Sequence, residues 1–345
     1  MTLADRVAGC LYGAAIGDAL GSAFEFVDAA TIRRLLREPF VWQYRASVSG
    51  SLLHPREPGR PTDDTAMALS VAGAISGGEP LTAALFARRF LTDLNCGTGR
   101  FGEMFWSGGP GGATTRALSR LRAGADPATC GHPEDGGNGA AMRAYPVGFL
   151  SDRDEVLRVA ALQARVTHGH PAAIAAAQAV AALVHDALAG RAPSLDPPAG
   201  IDEATFVAMW RALHRNIVFG GPLPAELRNI AMSGWACVAG AHAIAAAFAG
   251  DPERAIAAAV GSGGDTDTVG SIVGAIVGAR NGLHALPLRW VDGLRDRQLV
   301  EAAIVDLRLA RTGVADTASN ELMLRGAVHA PNSENRSVEQ RRNPA

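Results

Sequence analysis

Apolar residues recur at three- and four-residue spacing along most of this chain, and period-two alternation of Val, Ile, Thr and aromatics is nearly absent. The pattern predicts helices over Leu3–Leu20, Ala29–Arg37, Thr65–Ser76, Thr82–Leu94, Thr115–Ala123 and Asp154–Arg165. Further ones are predicted over Ala172–Ala189, Glu203–Asn216, Ser233–Ala249, Pro252–Val260, Val269–Arg280 and Val291–Ala310. Their ends carry suitable punctuation, such as Asp251-Pro252 opening a helix after Gly250 and Gly190 closing the Ala-rich one. The chain therefore reads as all-α. Two regions, Phe40–Asp63 and Asn95–Gly112 with Cys130–Gly139, read as long loops of the kind that carry function or motion.

Inside the helices the glycines are ordered. Gly9, Gly13, Gly17 and Gly21 are four apart, as are Gly270, Gly274 and Gly278. Each Gly in a helix costs up to about 1 kcal/mol relative to Ala. Residues four apart share one face, so the expected compensation is close approach of another backbone to a face without side chains. Ala and Gly together fill roughly a third of the 345 residues, with no G-X-Y period, which excludes collagen. Hydrophobic content of 48% with 19% charged residues excludes global disorder. Length divided by ~150 suggests two domains but leaves one large domain open. From about Gly326 the composition turns polar, so the folded body is expected over 1–325 and a disordered tail over 326–345.

Charge narrows the partners. The 32 basic residues are all Arg and face 34 acidic ones, giving a net charge of −2 with no basic block. Bulk binding to nucleic acid or an anionic membrane is not expected. Val166–His185 and Asn229–Gly250 lack charge and exceed the ~18 residues that raise a transmembrane flag. They are mostly Ala and Gly and carry His168, His170, Pro171 and His242, so buried helices are expected rather than membrane spans. Cys10, Cys96, Cys130 and Cys237 show neither zinc spacing nor a disulfide framework. Val7–Gly17 resembles a signal-peptide core only until Asp5, Asp18 and Glu25 are counted. A reducing cytoplasm is the expected location.

Two acidic clusters open apolar helices: Thr62-Asp63-Asp64-Thr65, and Asp265-Thr266-Asp267-Thr268 after Gly261-Ser262-Gly263-Gly264. Helix capping explains one such residue at each start, not two. Crowded carboxylates either share a proton or bind a cation, and oxygen-only donors suit a hard ion such as Mg²⁺ or Mn²⁺. Gly136-Gly137-Asn138-Gly139 before Met142-Arg143 is either a phosphate-facing run of backbone N–H groups or a plain turn. His168 and His170 could be ligands, proton carriers or loop residues.

Taken together and in this order, Gly17-Asp18-x-x-Gly21-Ser22-x-x-Glu25, Thr62-Asp63-Asp64-Thr65, Gly137-Asn138-Gly139-x-x-Met142-Arg143, Thr167-His168, Ser233-Gly234-Trp235 and Gly264-Asp265-Thr266-Asp267-Thr268-Val269-Gly270 resemble the ADP-ribosylglycohydrolase family. The resemblance spans roughly residues 5–285. It implies a compact single-domain orthogonal helical bundle with two Mg²⁺ (or Mn²⁺) ions in a cleft. By the same resemblance, Thr62, Asp63, Asp64, Asp265, Asp267 and Thr268 are metal ligands, and Glu25 is the acidic loop residue beside the metal or the reactive water. Glu25, Asp63, Asp64 and Asp267 are the implied catalytic acids, without a choice of general acid among them. Asn138, Gly139 and His168 would line an ADP-ribose pocket and Trp235 its adenosine end. Gly136 stands where relatives carry an aromatic, which leaves the stacking contact open. The implied reaction is metal-dependent hydrolysis of the glycosidic bond between ADP-ribose and an acceptor, with protein ADP-ribosyl-arginine expected first. A Ser, nucleic-acid base or free-metabolite linkage, or a non-catalytic ADP-ribose-binding module, are the alternatives. The expected partner is an ADP-ribosylated protein or an ADP-ribose-containing small molecule.

Overall fold

The computed structural model describes residues 1–48, 56–219, 225–230 and 232–312. The polar segment 326–345 lies outside them. Among the described residues there are fourteen α-helices and no strand. In chain order they are α1 (Leu3–Gly21), α2 (Ala29–Leu36), α3 (Asp63–Ser76), α4 (Ala83–Asp93), α5 (Gly102–Gly108), α6 (Gly112–Arg122) and α7 (Arg153–Arg165). They continue with α8 (Pro171–Leu188), α9 (Ala204–His214), α10 (Gly234–Ala247), α11 (Pro252–Gly261), α12 (Thr266–Asn281), α13 (Leu288–Gly293) and α14 (Arg297–Thr312). The all-α reading holds, and several starts are capped as the residues suggest: Thr2, Asp28, Thr62, Thr82, Asp152 and Asp251 each accept a backbone N–H from their own first turn.

Two helix expectations change. The loop expected over Asn95–Gly112 contains α5, seven residues whose turn is closed by Gly109 in the left-handed region. The single helix expected over Val291–Ala310 is two. Gly293 ends α13, Leu294 is extended, Asp296 has φ 55°, and the backbone of Arg295 donates instead to Gly59 O at 2.8 Å. The break lets Trp290 on α13 donate to Trp42 O at 2.9 Å while Tyr44 donates to Trp290 O at 2.9 Å, so the loop entering α3 is tied down.

The centre of the molecule is the pair α1 and α12, both almost wholly buried. They run antiparallel, and the two glycine ladders face each other rung by rung. A methyl group on Gly9 would strike Gly278 O, one on Gly13 would strike Gly274 O, and one on Gly17 would strike Gly270 O. The reverse collisions occur from Gly270, Gly274 and Gly278. The close approach expected from the ladders is therefore present. Removing the side chains exchanges helix propensity for backbone-to-backbone dispersion contact over several turns. The ladder also sets position: the C-terminal end of α1 is held against the N-terminal end of α12, where Thr266 Oγ1 donates to Gly21 O at 2.7 Å.

α8, α10 and α11 pack around this pair with Ala-rich buried faces. α8 is long and apolar enough to cross a membrane, with mean hydropathy 1.4 over 18 residues, yet 61% of it is buried inside the protein. It lies against α7, α10 and α12.

Candidate active site

Three helix ends and two loops meet where the glycine ladder stops. Asp18, an acid in the last turns of α1, is fully buried and reaches α3. Its Oδ2 accepts from Thr62 N at 2.9 Å, Thr65 N at 3.1 Å and Thr65 Oγ1 at 2.6 Å. Asp18 thus fastens the first turn of α3 to α1 and satisfies N–H groups that the helix start leaves unpaired. From above, Gly108 at the end of α5 packs so tightly on Thr62 and Asp63 that a side chain there would strike Asp63 N.

The two acidic clusters converge as expected. Carboxylate oxygens of Glu25, Asp265 and Asp267 all lie within 4.8 Å of one another. Asp63 and Asp64 are buried beside them, and Asp64 Oδ1 has no hydrogen-bond partner among the described residues. Asp267 Oδ1 accepts from Thr268 N at 2.9 Å, and Thr62 Oγ1 accepts from Asp64 N at 3.3 Å. Thr62 therefore caps the start of α3, whereas Thr268 supplies a backbone N–H to Asp267. Burial, followed by repulsion from Asp267, pushes the Asp18 carboxyl up to about 6, Asp63 to about 7 and Glu25 to about 9. Asp64 and Asp265 are raised well above the ordinary range for the same reasons.

Among the described residues one cation sits in this centre, and no motif announces it. The Arg56 guanidinium, 7% exposed, lies 2.9 Å from Glu25 Oε2 and 3.3 Å from Asp267 Oδ2, and also donates to Gly108 O. A lone Arg in a long loop carries no motif. Asp18 did carry a signal, as a carboxylate on an otherwise apolar helix, but its role becomes visible only once α3 is in place.

The second half of the site is the glycine-rich loop. Asn138 Nδ2 donates to Asp265 Oδ2 at 2.7 Å, which joins this loop to the acids. Gly136 O accepts from Gly234 N at 3.0 Å, bringing the start of α10 alongside. Trp235 follows, and its indole lies 3.0 Å from where a Gly136 side chain would begin. It stacks on His170 with ring centroids 4.9 Å apart. Both rings thus lie against Gly136, with His170 Cγ 3.5 Å from the same point. His168 is 2% exposed, and a methyl on Gly139 would lie 3.0 Å from its Cε1. Asn138, Gly139, His168 and Trp235 are therefore all brought to one loop, as expected.

Behind the loop stands Arg143, fully buried and without a carboxylate among its hydrogen-bond partners. Its guanidinium donates to Gln163 Oε1 at 2.7 Å, Gln163 O at 2.9 Å, Gly139 O at 2.9 Å and Thr167 Oγ1 at 2.7 Å, over the ring of Phe90. It holds the loop to α7 and to the residue before His168. Burial lowers its pKa to about 9.

The site thus joins carboxylates from a loop and two helix starts to a glycine-rich loop. The ADP-ribosylglycohydrolase family model matches residues 1–317, and the chain belongs to that family of hydrolytic enzymes. It is similar to the ADP-ribosyl-[dinitrogen reductase] glycohydrolase of Rhodospirillum rubrum, 28% identical over 319 residues that cover 90% of this chain and 97% of the relative. The bovine ADP-ribosylhydrolase ARH3 is 26% identical, covering 83% of this chain and 88% of that protein. The ADP-ribosylarginine hydrolase Tri1 of Serratia proteamaculans is also 26% identical, covering 86% and 77%. Among solved structures, an ADP-ribosylglycohydrolase-related protein complex superposes with a TM-score of 0.63 at 28% identity, covering 89% of this chain and 99% of that one.

Proposed function

We propose that this protein is a divalent-cation-dependent hydrolase that releases ADP-ribose from modified arginine. The observation that carries the proposal is the oxygen cluster of Glu25, Asp265 and Asp267, with the unpartnered Asp64 Oδ1 buried beside it. Buried carboxylates this close are unfavourable as anions, and a hard cation is the ligand that offsets them. Glu25, Thr62, Asp63, Asp64, Asp265, Asp267 and Thr268 are the residues that would hold two Mg²⁺ or Mn²⁺ ions. When bound, the ions would supply Lewis acidity and a template for ribose hydroxyls and water. Trp235 and His168 would bound the nucleotide, and Asn138 would orient Asp265 toward it. Glu25, Asp63, Asp64 and Asp267 supply the proton-transfer capacity around an oxocarbenium-like transition state.

Arginine as acceptor is supported by the similarity to a relative named for ADP-ribosylarginine hydrolysis and by the Arg56 contact, in which Glu25 and Asp267 already face a guanidinium. The test is incubation of the purified protein with Arg-, Ser- and nucleotide-linked ADP-ribose in Mg²⁺, Mn²⁺ or EDTA, following ADP-ribose release. Release from the Arg conjugate that EDTA abolishes is expected. Tight ADP-ribose binding with no release from any conjugate would instead define a binding module.

A further inference from the structure

His168 is held in a chain of hydrogen bonds whose proton count can be followed. Thr167 Oγ1 accepts from Arg143 Nη2 at 2.7 Å and lies 2.8 Å from His168 Nδ1. A hydroxyl has one proton and two lone pairs, and Thr167 is fully buried. Arg143 has no acceptor to offer, since a guanidinium only donates. Among the described residues the one acceptor available to the Thr167 hydroxyl proton is therefore Nδ1. Were Nδ1 protonated, that hydroxyl would be left as a buried donor without a partner, the costly outcome. The ring proton accordingly sits on Nε2. Protonation of both nitrogens is opposed by burial, then by the Arg143 cation and less by Arg116, which outweigh the opposite pull of Asp135 and lower the His168 pKa to about 3.

Nε2 makes no hydrogen bond among the described residues. It faces the glycine loop, where a methyl on Gly139 would lie 3.3 Å away and one on Gly137 would lie 3.6 Å away. The absence of side chains at both positions leaves this N–H uncovered. Arg143 also holds Gly139 O, so one guanidinium sets both the loop and the ring that points at it.

We infer that Thr167, oriented by Arg143, fixes His168 as a neutral Nε2–H donor for an acceptor oxygen of the ligand seated in the Gly137–Gly139 loop. Arg143 and Thr167 are positioning residues, and His168 is the contacting one. The ligand assignment rests on the reading of this loop as the ADP-ribose pocket; the tautomer does not.

Long-range proton–nitrogen correlation spectra of the full-length ¹⁵N-labelled protein test the inference, with His168→Gln identifying the ring signals. The unaltered protein is expected to show a protonated Nε2 and an acceptor-type Nδ1 for His168 from pH 8 down to pH 5. Thr167→Val should release the lock and give a mixture of tautomers, and Thr167→Ser should restore it. Arg143→Met should raise the pH at which the ring protonates; if it does not fold, the Thr167 pair decides. Calorimetry with ADP-ribose should show affinity weakened for Thr167→Val in proportion to the ring lost to the other tautomer, about twofold for an even mixture, and near-normal for Thr167→Ser. A protonated Nδ1 in the unaltered protein, or spectra unchanged in Thr167→Val, overturns the inference. Failure of the unaltered protein to bind ADP-ribose would count against the pocket reading, while the spectra still decide the tautomer.

Discussion

The protein buries charge in two neighbouring places and resolves it in opposite ways. Around Arg143, one cation is enclosed without a carboxylate, and its donors are shared among Gln163, Gly139 and Thr167. The guanidinium itself has an acceptor for each of its N–H groups. At the ends of α1, α3 and α12, carboxylates face one another with one guanidinium among them, and Asp64 Oδ1 has no partner. The first arrangement is closed and holds a loop in shape. The second is open, with raised carboxyl pKa values that a cation or a proton must relieve. A buried charge whose partners are complete shapes the fold, whereas a group of charges without them has capacity to take a ligand.

The largest effect should come from the open centre. Asp64→Asn and Asp267→Asn are expected to lower activity and Mn²⁺ affinity by roughly 100-fold or more, since even outer partners of metal ligands cost up to about that. Helical circular dichroism should stay nearly intact. Full EDTA-sensitive activity in both variants would remove these residues from the centre. The closed site should behave in reverse, as a stability site. Arg143→Met leaves several buried acceptors unpaired and should cost about 3 kcal/mol or more in urea unfolding. An unfolding midpoint equal to that of the unaltered protein would mean that the loop is held by something else.

The glycine ladder that joins the two regions gives a test of sign. Gly→Ala in a helix ordinarily stabilises by up to about 1 kcal/mol. Gly13→Ala should instead destabilise by about 1–3 kcal/mol, because its methyl meets the Gly274 carbonyl and not a movable side chain. Gly250→Ala, which meets nothing within 4 Å and does not need the left-handed region, should be nearly neutral. Equal effects would dissolve the argument for backbone contact.

Two smaller effects concern charge balance. Glu25 and Asp63 are raised in the folded protein to about 9 and about 7, so the fold binds protons that the unfolded chain has released. Their contribution is complete below about pH 4 and is lost as pH rises through those values. His168 and His214 are lowered to about 3 and about 4, so their stabilising contribution is lost only as pH falls below about 6.5. Between pH 7 and 9 the cation-free protein should therefore lose thermal stability, Mg²⁺ should restore it, and Glu25→Gln should flatten the slope. A rising midpoint across that window would contradict the assignment. Last, Arg56→Ala should destabilise the cation-free protein and tighten Mn²⁺ binding several-fold in calorimetry, because a competing charge is gone. Weaker Mn²⁺ binding would make Arg56 a supporting residue instead.

The helical class, the two acid-rich helix starts and both glycine ladders were legible in the residues, because periodicity, capping chemistry and helix propensity are local properties. Glu25, Asp265 and Asp267 could be named from motif order, and the structure brings their oxygens together. Arg56 could not be named, since its meaning lies in carboxylates far from it in sequence. Nor could the packing of Trp235 against Gly136, because the two meet only where α10 begins beside the loop. The tie from Arg143 to His168 also crosses elements that no spacing rule connects. Local residue pattern was enough for most of the helices and for the faces bare enough to touch, but not for α5 or the break between α13 and α14. Tertiary structure decided that the bare faces of α1 and α12 pair antiparallel, so that acids distant in the chain share one end. Backbone contact between glycine faces fixes the register of α1 and α12, and the Asp18 hydrogen bonds to Thr62 and Thr65 add α3, so that separate acidic motifs become one charged centre.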